Sequence, residues 1–185
     1  ADIIRKRLSE PRFIHSLNVA EAAFQLAEKY GANCEKAYTA GLLHDIMKEE
    51  RAEIQREYIL HNGEKITVLE SLNKQVLHQM SGAAYCRIEL GIEDEDILGA
   101  IRYHTTGKRD MTLFQKVLYT ADFISADRCY PDVSVMREKA QHSLDEAMLY
   151  SLKYTIKDLS EKMMLIHPDT LECYNSILEK MKEKE

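Results

Sequence analysis

The stretch Gly41-Leu42-Leu43-His44-Asp45-Ile46-Met47-Lys48 places an adjacent histidine and aspartate at the end of a small, apolar run. Bare His-Asp pairs are common and usually carry no chemistry. Here further candidate ligands occur in or beside helical apolar patterns, where an unpaired polar group is costly: His15, His78, His104 and Asp122. Imidazole nitrogens and carboxylate oxygens together suit zinc, manganese or iron better than a thiolate-seeking ion. The sequence therefore points to a metal centre.

The helical pattern before this stretch places one candidate ligand inside the protein. Residues from about Glu10 to Tyr30 carry two apolar stripes, and a helix that is apolar on two faces is expected to be central. His15 lies at the inner end of one stripe, with Arg12 one turn earlier on the same side. The next helix is predicted over 34–47, and its small residues, Gly41 among them, would let a neighbouring helix come close and meet His44.

The remaining chain has the same helical character. Further helices are predicted at 1–9, 49–58, 75–90, 93–103, 112–126, 134–151, 152–166 and 167–182, whereas residues 64–74 are ambiguous. There is no alternating strand pattern, internal repeat or linker. The sequence therefore predicts an all-α fold, packed helix on helix as one domain over residues 1–185.

Composition excludes some classes of partner. The formal net charge is -6, which argues against a broad nucleic-acid surface but allows a small anionic substrate in a local positive pocket. No apolar run approaches the roughly 20 residues of a membrane span. The scattered cysteines and the lack of a CxxC motif predict reduced thiols in a cytoplasmic protein. The apolar faces of several helices leave a homodimer open.

The strongest ligand set for one ion is His15, His44, Asp45 and Asp122, because a metal site draws its ligands from several elements. His78 and His104 would either complete a second site that shares Asp45 or contact the substrate. Three cations lie beside these ligands and would neutralise phosphate groups: Arg12, Lys48 and Arg128.

Each residue also has an ordinary structural interpretation. His15 alone would be a core histidine, and Asp122 would be a buried carboxylate paired with an arginine. Lys48 would be a cation at a helix C-terminus. The segment His167–Thr170 would be a helix start, because Pro168 suits the first turn and a neighbouring polar residue can cap it.

Ordered segments beyond the His-Asp pair span nearly the whole chain: Arg12–Ser16, Gly41–Lys48, His78, Arg102–Gly107, Ala121–Ile124 with Arg128, and Ile166–Leu171 with Tyr174-Asn175. Together they resemble the HD-domain metal-dependent phosphohydrolase superfamily and, within it, the YqeK-type subfamily. The His-Asp pair alone is a weak signal, whereas the ordered set is specific.

The resemblance implies an HD-type helical bundle and a bacterial, cytoplasmic enzyme that cuts diadenosine tetraphosphate symmetrically into two ADP. Its ion would be iron, or else manganese, cobalt or zinc. The resemblance assigns the metal to His15, His44, Asp45 and Asp122. It assigns the nucleotide to Arg12, Lys48, His78, His104, Thr105 and Arg128, with a pocket wall formed by Leu165, Ile166, His167, Pro168, Asp169 and Thr170.

The mechanistic hypothesis is that metal-bound hydroxide attacks a phosphorus inside the tetraphosphate bridge, with ADP as leaving group. Asp45 would act through the ion, and His78 or His104 would protonate the leaving oxygen if it is not a metal ligand. Two other functions stay open. One is an HD phosphohydrolase acting on dNTPs, nucleoside monophosphates or cyclic nucleotides, and the other is a non-catalytic nucleotide-sensing protein.

Overall fold

A computed structural model describes residues 2–183. Over these residues the chain forms helices and turns without a strand, so the all-α prediction is confirmed. The helices, in chain order, are α1 (Asp2–Arg7), α2 (Glu10–Tyr30), α3 (Cys34–Leu43), α4 (Ala52–His61), α5 (Val68–Leu72), α6 (Leu77–Ile88), α7 (Glu95–Tyr103), α8 (Leu113–Ile124), α9 (Val133–His142), α10 (Leu144–Glu161) and α11 (Pro168–Lys182). A short 3-10 turn, Lys74–Val76, precedes α6.

Helix α2 is central, as its two apolar stripes predict. It has the predicted bounds, with Pro11 in its first turn and Gly31 after its last residue in the left-handed conformation, φ 75°. Val19 and Ala20 in its middle are fully buried. The helix packs against α3 on one side and α8 on the other, so it can present His15 to residues of both.

The contact between α2 and α3 depends on Gly41. A Cβ atom at this position would lie 2.5 Å from the Cα atom of Ala20, which is closer than non-bonded carbon atoms approach. The prediction that small residues let a neighbouring helix come close is therefore confirmed. This approach brings the end of α3, and with it His44, against α2.

Two apolar clusters meet at α8. The larger joins Val19 of α2 and Ala40 of α3 to Ile101 of α7 and Val117 of α8. The smaller joins Met111, Tyr119, Met148, Leu152, Cys173 and Ile177, which places α10 and α11 against α8. Helix α8 is therefore held on both sides, and the position of Asp122 in its last turn is fixed by packing.

Several predicted helix boundaries are wrong. The helix predicted at 49–58 is α4, Ala52–His61, and the helix predicted to reach residue 166 ends at Glu161. Two further errors concern α3 and the start of α10. Helix α3 ends at Leu43 rather than at residue 47, and the chain continues as turns in which Ile46 and Lys48 donate to the carbonyls three residues earlier, at 3.0 and 2.8 Å. These tighter turns direct both His44 and Asp45 to the interior, where both side chains are buried.

The second error lies between the two helices predicted at 134–151 and 152–166. The break falls instead at Ser143, whose extended backbone and hydroxyl cap the start of α10 by accepting from the Glu146 amide. Ser151 remains inside α10 because its hydroxyl donates to the carbonyl of Met148, 2.9 Å away. The ambiguous segment 64–74 contains α5 and the beginning of the 3-10 turn.

No helix within residues 2–183 combines the length and hydropathy that crossing a membrane requires. Cys34, Cys86, Cys129 and Cys173 are free thiols, in agreement with the prediction that they do not form disulfides. Burial raises the pKa of Cys86 to about 12, so this thiol stays protonated and packs as a small apolar side chain.

Candidate active site

Helix ends and turns bring the candidate ligands together. His15 lies near the start of α2 and His78 near the start of α6, while Asp122 lies in the last turn of α8. His44 and Asp45 follow α3, and His104 follows α7. The histidines and Asp45 are buried, and only 15% of the Asp122 side chain is exposed. Residues that lie up to about a hundred positions apart in the sequence thus share one interior site.

Three of the histidines are oriented in the same way. The Nδ1–H group of each donates to the backbone carbonyl three residues earlier, at 2.7 Å for His44 and Gly41, 2.7 Å for His78 and Gln75, and 2.8 Å for His104 and Ile101. Because a carbonyl only accepts, the hydrogen of each neutral ring lies on Nδ1. The Nε2 lone pairs therefore point into the site, where they are free to bind an ion.

The fourth histidine, His15, also carries its hydrogen on Nδ1, but the acceptor is a carboxylate instead of a backbone carbonyl. The Nδ1 atom of His15 lies 2.7 Å from Oδ2 of Asp127, and its Nε2 atom lies 3.1 Å from Oδ1 of Asp122. Asp127 is not among the residues that the sequence predicts for the site. It supplies the hydrogen-bond acceptor that backbone carbonyls supply to the other three rings.

The Nε2 atoms converge on the two carboxylates. Oδ1 of Asp45 lies 3.2 Å from His78 and 3.6 Å from His104, and Oδ2 lies 3.6 Å from His44. The second carboxylate, Asp122, lies 3.9 Å from His44 as well as close to His15. Two groups of ligand atoms lie within 4.8 Å of one another: His15, His44 and Asp122, and His44, Asp45 and His104.

This arrangement fits a divalent metal ion. The Nε2 atoms of His15 and His44 are buried and have no hydrogen-bond partner within residues 2–183. A buried acceptor left without a partner costs about 1–3 kcal/mol, and an ion between these nitrogens and the carboxylates would satisfy both. The Nε2 atoms of His78 and His104 lie only 3.0 Å apart, so they too could share one ion.

Cations surround the carboxylates. Arg12 donates to Asp45 at 3.0 Å, Arg128 donates to Asp122, and Lys48 lies 3.8 Å from Asp45. Asp122 therefore does pair with an arginine, as its ordinary structural interpretation predicts, and it also contacts His15. Lys48 does point into the site, because its Nζ atom lies 3.1 Å from Nε2 of His78.

The surroundings set the charges of these groups. Burial would raise the pKa of Asp45, but His44, His104, His78 and Lys48 hold it well below its usual range. Burial lowers the pKa of His44 to about 4, and burial together with the Lys48 charge lowers that of His78 to about 4. At neutral pH the carboxylate is ionised and these imidazoles are neutral, which are the forms that bind metal.

The loop after α7 adds a hydroxyl to the site. Oγ1 of Thr105 lies 3.2 Å from Nε2 of His78. The backbone amides of Thr105 and Thr106 donate to Oε1 of Gln79, at 3.0 and 3.2 Å. Gln79 therefore positions this loop, although no sequence motif includes it.

The predicted pocket wall at 165–170 begins α11. His167 caps this helix by accepting from the Asp169 amide at 3.2 Å, and Pro168 lies in the first turn, so the predicted helix start is confirmed. His167 also contacts Glu70 of α5, with 3.4 Å between Nε2 and Oε1. Leu165 is 47% exposed, which leaves an apolar surface at the start of the segment.

A residue outside the predicted site holds the loop after α8. Arg137 of α9 donates to the backbone carbonyls of Ile124, Ser125 and Arg128, at 3.0, 2.8 and 3.1 Å. Asp127 lies in this loop. Neither Asp127 nor Arg137 belongs to a motif or an apolar stripe, and only the proximity of Asp127 to Arg128 marked the loop as relevant.

Comparison with known proteins agrees with this geometry. The family model described as HD domain matches residues 12–127. A Bacillus subtilis (strain 168) protein named symmetrical bis(5'-nucleosyl)-tetraphosphatase is 38% identical over 172 residues, 93% of this chain and 92% of that protein. A Halalkalibacterium halodurans protein of the same name is 40% identical over 178 residues, 95% of this chain and 94% of that protein.

A solved structure has nearly the same fold. It is described as a predicted HD superfamily hydrolase involved in NAD metabolism from Clostridium acetobutylicum. It superposes with a TM-score of 0.95 at 35% identity, covering 97% of this chain and 95% of that one. The family match runs from Arg12 to Asp127 and so includes every candidate metal ligand. An HD domain implies a divalent metal ion. The chain belongs to the HD-domain family, in the group that contains these relatives.

Proposed function

We propose that this protein hydrolyses diadenosine tetraphosphate and related dinucleoside polyphosphates symmetrically, so that diadenosine tetraphosphate yields two ADP. The observation that carries the proposal is the pairing of an imidazole and carboxylate cluster with cations that contact its carboxylates, Arg12 on Asp45 and Arg128 on Asp122. The names of the Bacillus and Halalkalibacterium relatives support the choice of substrate.

The proposed metal ligands are His15, His44, Asp45 and Asp122. The ion is proposed to be iron, with manganese, cobalt and zinc as alternatives that the same nitrogen and oxygen donors accept. When bound, it would lower the pKa of a coordinated water and polarise a phosphoryl oxygen. The neutral imidazole of His44 needs no deprotonation before it binds, and the two carboxylates offset the charge of the ion.

The hydrogen bonding of His78 and His104 favours a ligand role over a proton-donor role. Each ring uses its Nδ1 hydrogen on a backbone carbonyl and turns a bare Nε2 atom toward Asp45. Neither ring therefore carries a hydrogen directed at a substrate. We propose that the two rings bind a second ion that shares Asp45, or else accept a hydrogen bond from a hydroxyl group of the substrate.

The cations would act on the phosphates. Arg12, Lys48 and Arg128 lie around the carboxylates, so a polyphosphate at the ion would meet positive charge from more than one side. Such groups stabilise the charge that shifts to the leaving phosphate oxygen.

Thr105 would contribute a hydrogen bond, and the segment 165–170 would contact one adenosine through its partly exposed apolar residues. We further propose a cytoplasmic location, supported by the free thiols.

The test is an assay of purified protein that has been reconstituted with iron, manganese or cobalt. We expect diadenosine tetraphosphate to give ADP alone. Asp45→Asn should abolish turnover and leave helical circular dichroism unchanged, whereas Asp96→Asn, the same change at an exposed position on α7, should retain full activity. ATP plus AMP as products, or hydrolysis of dNTPs or nucleoside monophosphates only, would contradict the proposed substrate and cleavage pattern.

A further inference from the structure

A polar cleft of about 670 Å³ opens beside the ligand cluster, between the start of α2, the turn after Lys48 and the 3-10 turn before α6. The proposed site residues Arg12, Lys48 and His78 line it. Arg51 and Lys74 also line it, and neither belongs to the predicted site. The volume lies within the roughly 300–1,000 Å³ that is usual for small-molecule pockets.

The charge of the cleft is predominantly positive. Arg51 and Lys74 are exposed, and neither makes an ion pair within the described part of the chain. Of the acidic lining residues, Glu50 is neutralised by Arg7 at 3.1 Å, which leaves Glu53 against the cations. In a protein with a net charge of -6, a positive cleft next to the site indicates that an anion binds there.

The symmetry of the proposed substrate requires such a cleft. Hydrolysis at the central anhydride bond leaves an adenosine and two phosphates on each side of the bond that breaks. Each half must therefore lie on its own surface, and the two surfaces must start from the same metal cluster. The segment 165–170 would contact one half. His78, whose Nε2 atom lies 3.2 Å from Asp45, is the point from which the cleft runs outward to Arg51 and Lys74.

We propose that this cleft is the subsite for the second nucleoside diphosphate half of the substrate, and that Arg51 and Lys74 bind its phosphates. The inference rests on the proposed function, because only a substrate with two nucleotide halves needs two such surfaces. Arg12 and Lys48 then bind the phosphates nearest the ion, and Arg51 and Lys74 bind the phosphates of the half that lies farther from it.

Binding of the product tests the subsite directly. Calorimetric titration of ADP into manganese-loaded protein should give two ADP per chain for the wild type and one for the Arg51→Ala, Lys74→Ala double variant. A control double variant, Lys6→Ala with Lys153→Ala, removes the same charge from exposed positions on α1 and α10 and should keep two. One ADP per wild-type chain at saturation, or two in the cleft variant with unchanged affinities, would overturn the proposal.

Kinetics give an independent measurement. The cleft variant should raise KM for diadenosine tetraphosphate about tenfold with kcat within about twofold, because these contacts are alike in the ground state and the transition state. Its KM should also depend less on salt. Unchanged KM and unchanged salt dependence in the variant would argue against the cleft as the second nucleotide subsite. If the wild type makes no ADP from this substrate, the proposed function fails, while the ADP titration still decides whether the cleft binds a nucleotide.

Discussion

Asp127 orients His15, because its Oδ2 atom lies 2.7 Å from Nδ1 of the ring and leaves Nε2 directed at Asp122, 3.1 Å away. Burial would lower the pKa of His15, but Asp122 and Asp127 outweigh that effect and raise it. A carboxylate on the far nitrogen of a metal-binding histidine fixes its tautomer and increases its basicity. Asp127 therefore belongs to the site although it would not touch the ion.

We expect Asp127→Ala to weaken metal binding by about 10–100-fold, which is the usual effect of losing such a partner. Competition with a fluorescent chelator would measure the affinity. Asp127→Asn keeps an oxygen that can accept from Nδ1 and should recover most of the affinity. Equal affinities for the wild type and the alanine variant would show that His15 needs no orienting partner.

Arg137 should act on the same ligand through the backbone. Its donations to three carbonyls of the loop that carries Asp127 predict that Arg137→Met lowers both the free energy of unfolding, by about 1–3 kcal/mol, and the metal affinity. The matched control is Arg56→Met, because Arg56 also donates to a carbonyl, that of Ser71, at 3.2 Å. The control should lose stability alone, as measured by urea unfolding and metal titration. An equal fall in metal affinity in the Arg137→Met and Arg56→Met variants would show that Arg137 has no specific effect on the metal site.

The metal-free protein should lose stability as the pH falls. His44 and His78 have a pKa of about 4 in the folded protein and about 6.5 when unfolded, so the unfolded chain binds protons first. Their contribution is fully present above pH 6.5 and is lost as the pH falls toward 4. The raised pKa of His15 acts in the opposite direction, since its contribution grows as the pH falls.

The lowered pKa values of His44 and His78 together predict a loss of unfolding free energy on the order of 3 kcal/mol between pH 7 and pH 5, which the raised pKa of His15 reduces. Urea unfolding of chelator-treated protein would measure it. His78→Gln should remove part of the dependence, whereas His61→Gln, at an exposed position, should leave it unchanged. A free energy of unfolding that is constant over this range would contradict the assigned protonation states.

The periodicity of apolar residues was sufficient to predict α2 to the residue, because Pro11 and Gly31 give it clear ends. It failed at α10, where the sequence between 134 and 166 offers serines at both 143 and 151. Whether a serine caps a helix or donates a hydrogen bond to a carbonyl inside one depends on its burial, and Ser151 is buried within α10. Local sequence does not contain that information.

The clustering of the candidate ligands with their adjacent cations could be predicted because each of these residues stands beside an apolar pattern or in an ordered motif. The residues that orient them could not. Asp127, Gln79 and Arg137 act across distances of 112, 26 and at least 9 positions in the sequence, and side chains of these types usually face solvent. Only the packing of α2, α6, α8 and α9 reveals their partners.

The contact of Gly41 with Ala20 makes a prediction about stability. Gly41→Ala would place a Cβ atom 2.5 Å from a backbone atom that cannot move independently, so α3 would have to shift away from α2. We expect a loss of about 3 kcal/mol or more, with weaker metal binding because His44 follows α3. The control is Gly82→Ala in α6, where the new methyl group would meet a side-chain atom of Ile101 at 3.3 Å, and its cost should be smaller. Thermal unfolding and chelator competition would measure both effects, and a fully stable Gly41→Ala protein would contradict the close packing of α2 and α3.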